Sequence, residues 1–173
     1  MTYNSLFNSN KNRVKIVNTT ITSHLGISVS SYTQIDSSVI TFTPTSLATD
    51  VIYRFTFYIN PYQAAGPTGR SCRTHFKLQN QSDGGVWTDV SGCEANEIFE
   101  SSSSEPMCHR HMTLRFRLAA TSGEKSYRIV AKSYNSSYRS AIHWTHFWSG
   151  TGVTSGTTTG QKNFNPVVEC YER

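Results

Sequence analysis

Between Asp50 and Ile59 apolar side chains recur at every second position. Tyr53, Phe55, Phe57 and Ile59 fall on one face of an extended chain, and Ile52, Arg54, Thr56 and Tyr58 on the other. Successive side chains of a strand point to opposite faces, so period two with aromatic and β-branched residues predicts a half-buried β-strand. The same alternation returns downstream. In 71–78, Phe76 and Leu78 oppose His75 and Lys77; in 112–118, Met112, Leu114, Phe116 and Leu118 oppose Thr113, Arg115 and Arg117. Tyr127, Ile129 and Ala131 share a face in 127–132, and shorter alternating runs lie at 27–35, 39–42 and 167–171. Residues 138–148 form the most aromatic of the predicted strands.

Turn chemistry punctuates these runs. Pro44-Thr45-Ser46 and Asn60-Pro61 end strands, and Asp83-Gly84-Gly85 predicts a tight turn that makes 86–90 a hairpin partner of 71–78. Thr121–Lys125 reads as the turn that brings 127–132 back beside 112–118 as a hairpin. Residues 91–108, which hold Ser101–Ser104, read as one long irregular stretch with a short helical turn through Glu94–Phe99. Gly150–Gly160 is a low-complexity loop, and no Lys, Arg, Asp or Glu occurs from Ser140 to Gln161.

About eight to ten short strands without a long helix predict an all-β antiparallel β-sandwich of jelly-roll type. It occupies residues 26–173 of the 173-residue chain, behind an N-terminal extended arm at 1–25. The arm is Asn-rich, and Tyr3, Leu6, Phe7, Lys11, Arg13 and Lys15 are its candidate attachment or subunit-contact residues. An ordered polar terminus is expected to be tied to its own domain or to a neighbour.

Composition narrows the function. Sixteen Lys and Arg against eleven Asp and Glu leave a net charge of +5, but the basic residues are scattered along outward strand positions. That pattern reads as a solvated sheet face, and neither a basic run nor a motif points to nucleic acid. No window approaches ~18 apolar residues, so no membrane insertion is expected. The N-terminus lacks the basic and apolar regions of a secretory signal, so synthesis in the cytoplasm is expected. Cys72, Cys93, Cys108 and Cys170 lack CxxC spacing. A Cys93–Cys108 bridge would close the acidic, Ser-rich loop between them; reduced thiols are the other reading for a cytosolic chain.

Candidate chemistry is thin. Cys108, His109 and His111, and the pair His143 and His146, invite a metal reading. His143 and His146 would fall on opposite faces of a regular strand, and zinc needs convergent ligands from two segments, so no metal or cofactor is expected. The acidic residues cluster in one loop or sit in turns, and no nucleophile elbow or phosphate-binding Gly loop is visible, so an enzyme is not expected. Tyr134, Tyr138, His143, Trp144, His146, Phe147 and Trp148 stand out as subunit-interface or ligand-contact candidates, because interface cores lose charge and gain aromatics.

The layout resembles the jelly-roll modules of bacteriophage structural proteins: head decorations, head fibres and the globular tips of tail fibres. The resemblance is carried by Ser38–Ser46, by Val51–Phe57, and by the late pair Ser126–Ser133 and Tyr138–Trp144, and it spans roughly residues 27–172. It implies a homotrimer formed through one flank of the sandwich, no cofactor and no catalysis. A tail fibre carries a long shaft before its tip, whereas about 25 residues precede this domain, which favours a decoration. The expected function is therefore that of a virion structural protein, a capsid decoration or head-fibre protein attached to the major capsid protein or another virion protein. The alternative is a receptor- or glycan-binding tip module that contacts a host cell-surface glycan.

Overall fold

The computed structural model describes residues 13–22, 25–62, 70–101, 110–134, 139–146 and 161–173, with the backbone alone described at 60–62, 70–72, 99–101, 139, 144–146 and 161–163. The described strands, in chain order, are β1 (Val14–Asn18), β2 (Leu25–Gly26), β3 (Thr33–Gln34), β4 (Ile40–Phe42), β5 (Asp50–Tyr62), β6 (Arg70–Ser82) and β7 (Thr88–Ser101). There follow β8 (Arg110–Ala119), β9 (Lys125–Ser133), β10 (Arg139–Ile142), β11 (Trp144–His146), β12 (Gln161–Asn163) and β13 (Val167–Glu172).

One sheet runs β1-β13-β5-β8, and the other runs from β3 and β4 through β9 and β6 to β7, every pair antiparallel. With the chain passing between them, this is the order of a jelly roll, an eight-stranded double sheet built from two Greek keys. β10 continues the first sheet beside the far end of β5, with β2 outside it, and β11 pairs with β12 as a separate ribbon. The all-β sandwich read from the alternation is the observed architecture.

The core follows from register. β5 and β8 pair without a break from Asp50↔Ala119 to Ile59↔Arg110, which sets Tyr53, Phe55 and Phe57 beside Phe116, Leu114 and Met112 on one face. On the other side of β5, Val168 and Cys170 of β13 stand beside Phe55 and Tyr53 on that same face. Phe76, Leu78, Tyr127, Ile129 and Ala131 meet them from the opposite sheet. Phe55 stacks on Phe57 with centroids 4.7 Å apart, and Phe57 reaches Phe76 across the sheets at 5.7 Å. These distances lie in the range where aromatic pairs attract.

Buried polar groups are tied down. The Tyr53 hydroxyl donates to the Ser38 carbonyl at 2.7 Å, and burial holds its pKa well above the usual phenol value. The Ser38 hydroxyl accepts the Ile129 N–H at 2.8 Å and donates to the Ile35 carbonyl at 2.5 Å, stitching the 3-10 turn Asp36–Ser38 to β9. Glu172 is only 4% exposed and accepts the N–H groups of Arg13 at 3.1 Å and Thr45 at 2.6 Å, and the Thr45 hydroxyl at 3.1 Å. Burial pushes its carboxyl pKa up, but these bonds and the Arg13 charge outweigh burial and leave it lowered. Glu172 therefore joins β1, the loop after β4 and the C-terminal strand. Glu172→Ala orphans those donors and is expected to cost about 1–3 kcal/mol. Urea unfolding measures it, and an unchanged midpoint would remove this role.

Four local expectations are corrected. Residues 88–101 form a 14-residue strand in place of the irregular stretch and the helical turn. Arg70–Lys77 pairs residue for residue with Ser101–Glu94, so backbone bonding to β6 satisfies a segment whose polar outer face suggested a loop. The ladder slips once: Lys77↔Glu94 is followed by Gln79↔Asp89, so Val90–Cys93 bulge opposite Leu78, with Gly92 at φ 73°. Second, β8 and β9 are not a hairpin, since β8 pairs with β5 and β9 with β6, and the Thr121–Glu124 turn crosses between the sheets. Each strand then puts its apolar face into the same core from opposite sides. Third, 27–35 is a strand only at Thr33–Gln34. Fourth, the aromatic strand at 138–148 breaks at His143, which takes φ 68°.

The Asp83-Gly84 turn forms as read. Both residues have positive φ (48° and 71°) and the Gly85 N–H bonds the Ser82 carbonyl at 2.9 Å, the type I′ geometry that matches strand twist.

Candidate functional site

The outer face of the second sheet carries the densest polar and aromatic organisation among the described residues. Alternation turns Phe76 and Leu78 inward, so Arg73, His75, Lys77 and Gln79 of β6 point outward. Register places His75 between Asn96 and Lys132, Lys77 between Glu94 and Val130, and Gln79 between Asp89 and Arg128. Lys77 Nζ lies 2.9 Å from Asp89 and 3.5 Å from Glu94, and sits over the Tyr32 ring at 5.0 Å. His75 bridges the Tyr32 hydroxyl at 2.5 Å and Glu94 at 3.1 Å. Arg128 donates to Gln79 at 2.9 Å, also bonds Gln34, and stacks on Trp87 at 4.1 Å. The hydrogen bond to Asp89 raises the Lys77 pKa, and the bonds from Gln79 and Lys77 lower that of Asp89. Exposed pairs of this kind add little stability; their effect is to hold the side chains of the face in one arrangement.

At the β7 end of this face lies an open groove of about 540 Å³, lined among others by Arg73, His75, Asn96, Ile98, Lys132 and Tyr134. Tyr134 is 64% exposed; its N–H bonds the Arg73 carbonyl at 2.9 Å, and the Arg73 guanidinium lies 5.3 Å from its ring centroid. The backbone bond fixes the ring beside the strand that supplies the cation.

The first sheet presents Arg54 to Glu169 at 3.3 Å, Arg117 to Asp50 at 2.7 Å, and Arg115 to the Tyr171 hydroxyl at 3.4 Å. The hydrogen bond from Arg117 lowers the Asp50 pKa. At the end of that sheet β1 pairs only with β13 among the described residues, and its Val14 and Ile16 are 60% and 53% exposed.

The residues expected to form the site are dispersed. Tyr3, Leu6, Phe7, Lys11, Tyr138, Phe147 and Trp148 lie outside the described residues, as does Cys108, and Trp144 and His146 are placed by backbone alone. Arg13 and Lys15 are exposed, but their backbone belongs to the sandwich: the Glu172 N–H bonds the Arg13 carbonyl at 3.1 Å, and Lys15 pairs with Cys170. Tyr134 is exposed.

His143 is a correction. It is 3% exposed, its Nε2 lies 2.7 Å from the Ser37 hydroxyl, and Phe55 and Phe57 present their rings to it edge-on at 6.2 and 6.4 Å. The left-handed residue that breaks the aromatic strand turns this side chain into the core, so it reaches no partner. Burial lowers its pKa to about 4.

Cys93 is a free and buried thiol, in line with the reduced reading of the two, and Cys108 lies outside the described residues. The bulge on β7 delivers Cys93 to the core beside the sheet rather than to a loop bridge. Burial raises its pKa and pushes that of Cys170 up to about 12. Thiolate is the reactive form, so native protein is expected to leave Cys93 and Cys170 unalkylated by iodoacetamide, with labelling only after denaturation. Peptide mapping tests this, and labelling of either in the folded state would contradict the placement.

Among the described residues no three His, Cys, Asp or Glu converge as a metal site, and no helix is long and apolar enough to cross a membrane. Neither a family model nor a curated protein matches the chain. Among solved structures, the chain has a faint likeness to the structure of the infectious bursal disease virus Gt strain. That match has 11% identity over 95% of this chain and 38% of the other, with a TM-score of 0.20, and carries no argument.

The groove residues escape sequence reading because Arg73, His75 and Lys77 look like any solvated strand face. The available signal was the alternation of Arg73, His75 and Lys77 opposite Phe76 and Leu78, followed by an aromatic, Tyr134, just past the end of a neighbouring strand.

Proposed function

We propose that this chain is a non-enzymatic structural protein of a bacteriophage virion, a capsid decoration or head-fibre subunit that assembles as a homotrimer. The observation that carries the reading is the open edge of β1. Among the described residues the outer side of β1 has no strand partner, and such an edge with exposed Val14 and Ile16 invites strand pairing unless a partner covers it. Residues 1–12 precede that strand in the sequence, so an attachment arm there would act beside this edge. The jelly roll supplies a rigid body behind it, with two outer faces covered by polar side chains.

The structure also dictates how the arm is tested. Removing residues beyond Arg13 strips β1 and the Arg13 bonds to Glu172 from the sandwich, so the informative deletion is 1–12. The truncated protein is expected to fold and to keep the native mass of a trimer, measured by light scattering, while failing to co-sediment with capsids. Attachment that survives the deletion would overturn the arm's role, and a monomeric parent chain would overturn the trimer.

A further inference from the structure

The groove between β6, β7 and the end of β9 has a composition that the virion reading does not use. It presents two cations, Arg73 and Lys132, and neither forms an ion pair among the described residues. Elsewhere on the same face the charges are neutralised or engaged: Lys77 by Asp89 and Glu94, Arg128 by Gln79 and Trp87. Beside these cations stands Tyr134, an aromatic ring 64% exposed, held by its backbone bond to Arg73 and with the Arg73 guanidinium 5.3 Å from its centroid. Asn96 adds an amide beside His75, and the exposed Ile98 beside Arg73 adds apolar surface, while Glu97 pairs with buried Thr74 on the other face of the sheet.

We infer that this groove binds a carboxylated saccharide, a uronate or a sialate, with its carboxylate between Arg73 and Lys132 and its ring face on Tyr134. Each part of the lining answers one part of such a ligand. A guanidinium takes a carboxylate in a bidentate fork, and an ammonium adds a compact second charge. The flat C–H face of a pyranose is apolar and covers an exposed aromatic ring, while its hydroxyls need donors and acceptors at the rim. Asn96 supplies both. The other cations of this face are already engaged, so the groove offers charge for one acid group rather than the basic stripe that a phosphodiester chain needs. A free phosphate would use the two cations and leave Tyr134 idle.

The inference is independent of the virion assignment, since a surface groove of this kind works on a monomer or on a trimer. Calorimetric titration of the full chain with sialyllactose and with a hyaluronan tetrasaccharide tests it, with lactose, inorganic phosphate and oligothymidylate as comparators. At least one carboxylated saccharide is expected to bind saturably, and lactose about tenfold more weakly or not at all. Arg73→Ala and Tyr134→Ala are each expected to weaken that binding by about tenfold. Both side chains are exposed, so melting curves should match the parent; Arg73→Gln, which keeps a polar stem over the ring, serves where the alanine variant melts early. Absence of binding by either acidic saccharide would overturn the inference. So would equal binding of lactose, variants that bind like the parent, or tighter binding of phosphate or oligothymidylate.

Discussion

Phe57→Ala should lower the folding free energy by about 3–5 kcal/mol, the largest loss expected from any single truncation in this core. The ring is 1% exposed and stacks on Phe55 at 4.7 Å within its own sheet, while Phe76 meets it at 5.7 Å from the facing sheet. It therefore joins the two layers, and its removal leaves a void bounded on both sides. Collapse of that void is restricted, because β5 is held along the ladder to β8 and β6 is held by both β7 and β9. Residual cavity adds to the lost transfer energy when neighbours cannot move in. A domain has only about 5–15 kcal/mol in total, so the variant should sit near the edge of folding, with a melting point lower by about 10 °C. Val86→Ala, at a side chain 84% exposed, should stay within about 0.5 kcal/mol of the parent and serves as the control. Urea titration of both variants decides the matter. A loss below about 1 kcal/mol at Phe57 would mean that the sheets do not close on this ring.

The alternation that announces Phe57 made most of the architecture legible. Wherever one face of a strand is buried and the other wet, the sequence must alternate, and β5, β8 and β9 obey that rule residue by residue. β7 escaped because it lies at the edge of its sheet and hydrogen-bonds to β6 while exposing Glu94, Asn96 and Ile98; backbone bonding leaves no mark in composition. The pairing of β8 with β5 rather than β9 escaped for a different reason. A short turn joins either a hairpin or a sheet-to-sheet crossing, and only the competition for neighbours in three dimensions selects between them. The site was the least legible part. Tyr134 was visible as an aromatic outlier, but Arg73 and Lys132 become a pair only through the β6–β9 ladder, 59 positions apart along the chain. His143 was misplaced because a strand pattern assumes regular backbone, and its φ of 68° reverses the direction of the side chain.

That same residue should make the fold acid-sensitive in a window where few other groups act. His143 is 3% exposed; Nε2 has the Ser37 hydroxyl at 2.7 Å, and buried Nδ1 has no partner among the described residues. An imidazolium there would hold a charge among Phe55 and Phe57 with one unpaired donor, so burial lowers the pKa from 6.5 to about 4. Between those values the unfolded chain takes up a proton that the folded chain refuses. Stability is then complete above about pH 6.5, declines as the pH falls, and has lost about 3 kcal/mol by pH 4, below which this group costs nothing more. Asp50, Asp89 and Glu172 have lowered pKa values, so their contributions disappear only at lower pH. His143→Asn separates the effect from other histidines, since asparagine tolerates the left-handed backbone and does not titrate. The variant should be less stable than the parent at neutral pH, yet its urea midpoint should fall much less between pH 6.5 and 4.5. Parallel pH profiles for the two proteins would show that the buried imidazole is not the sensor.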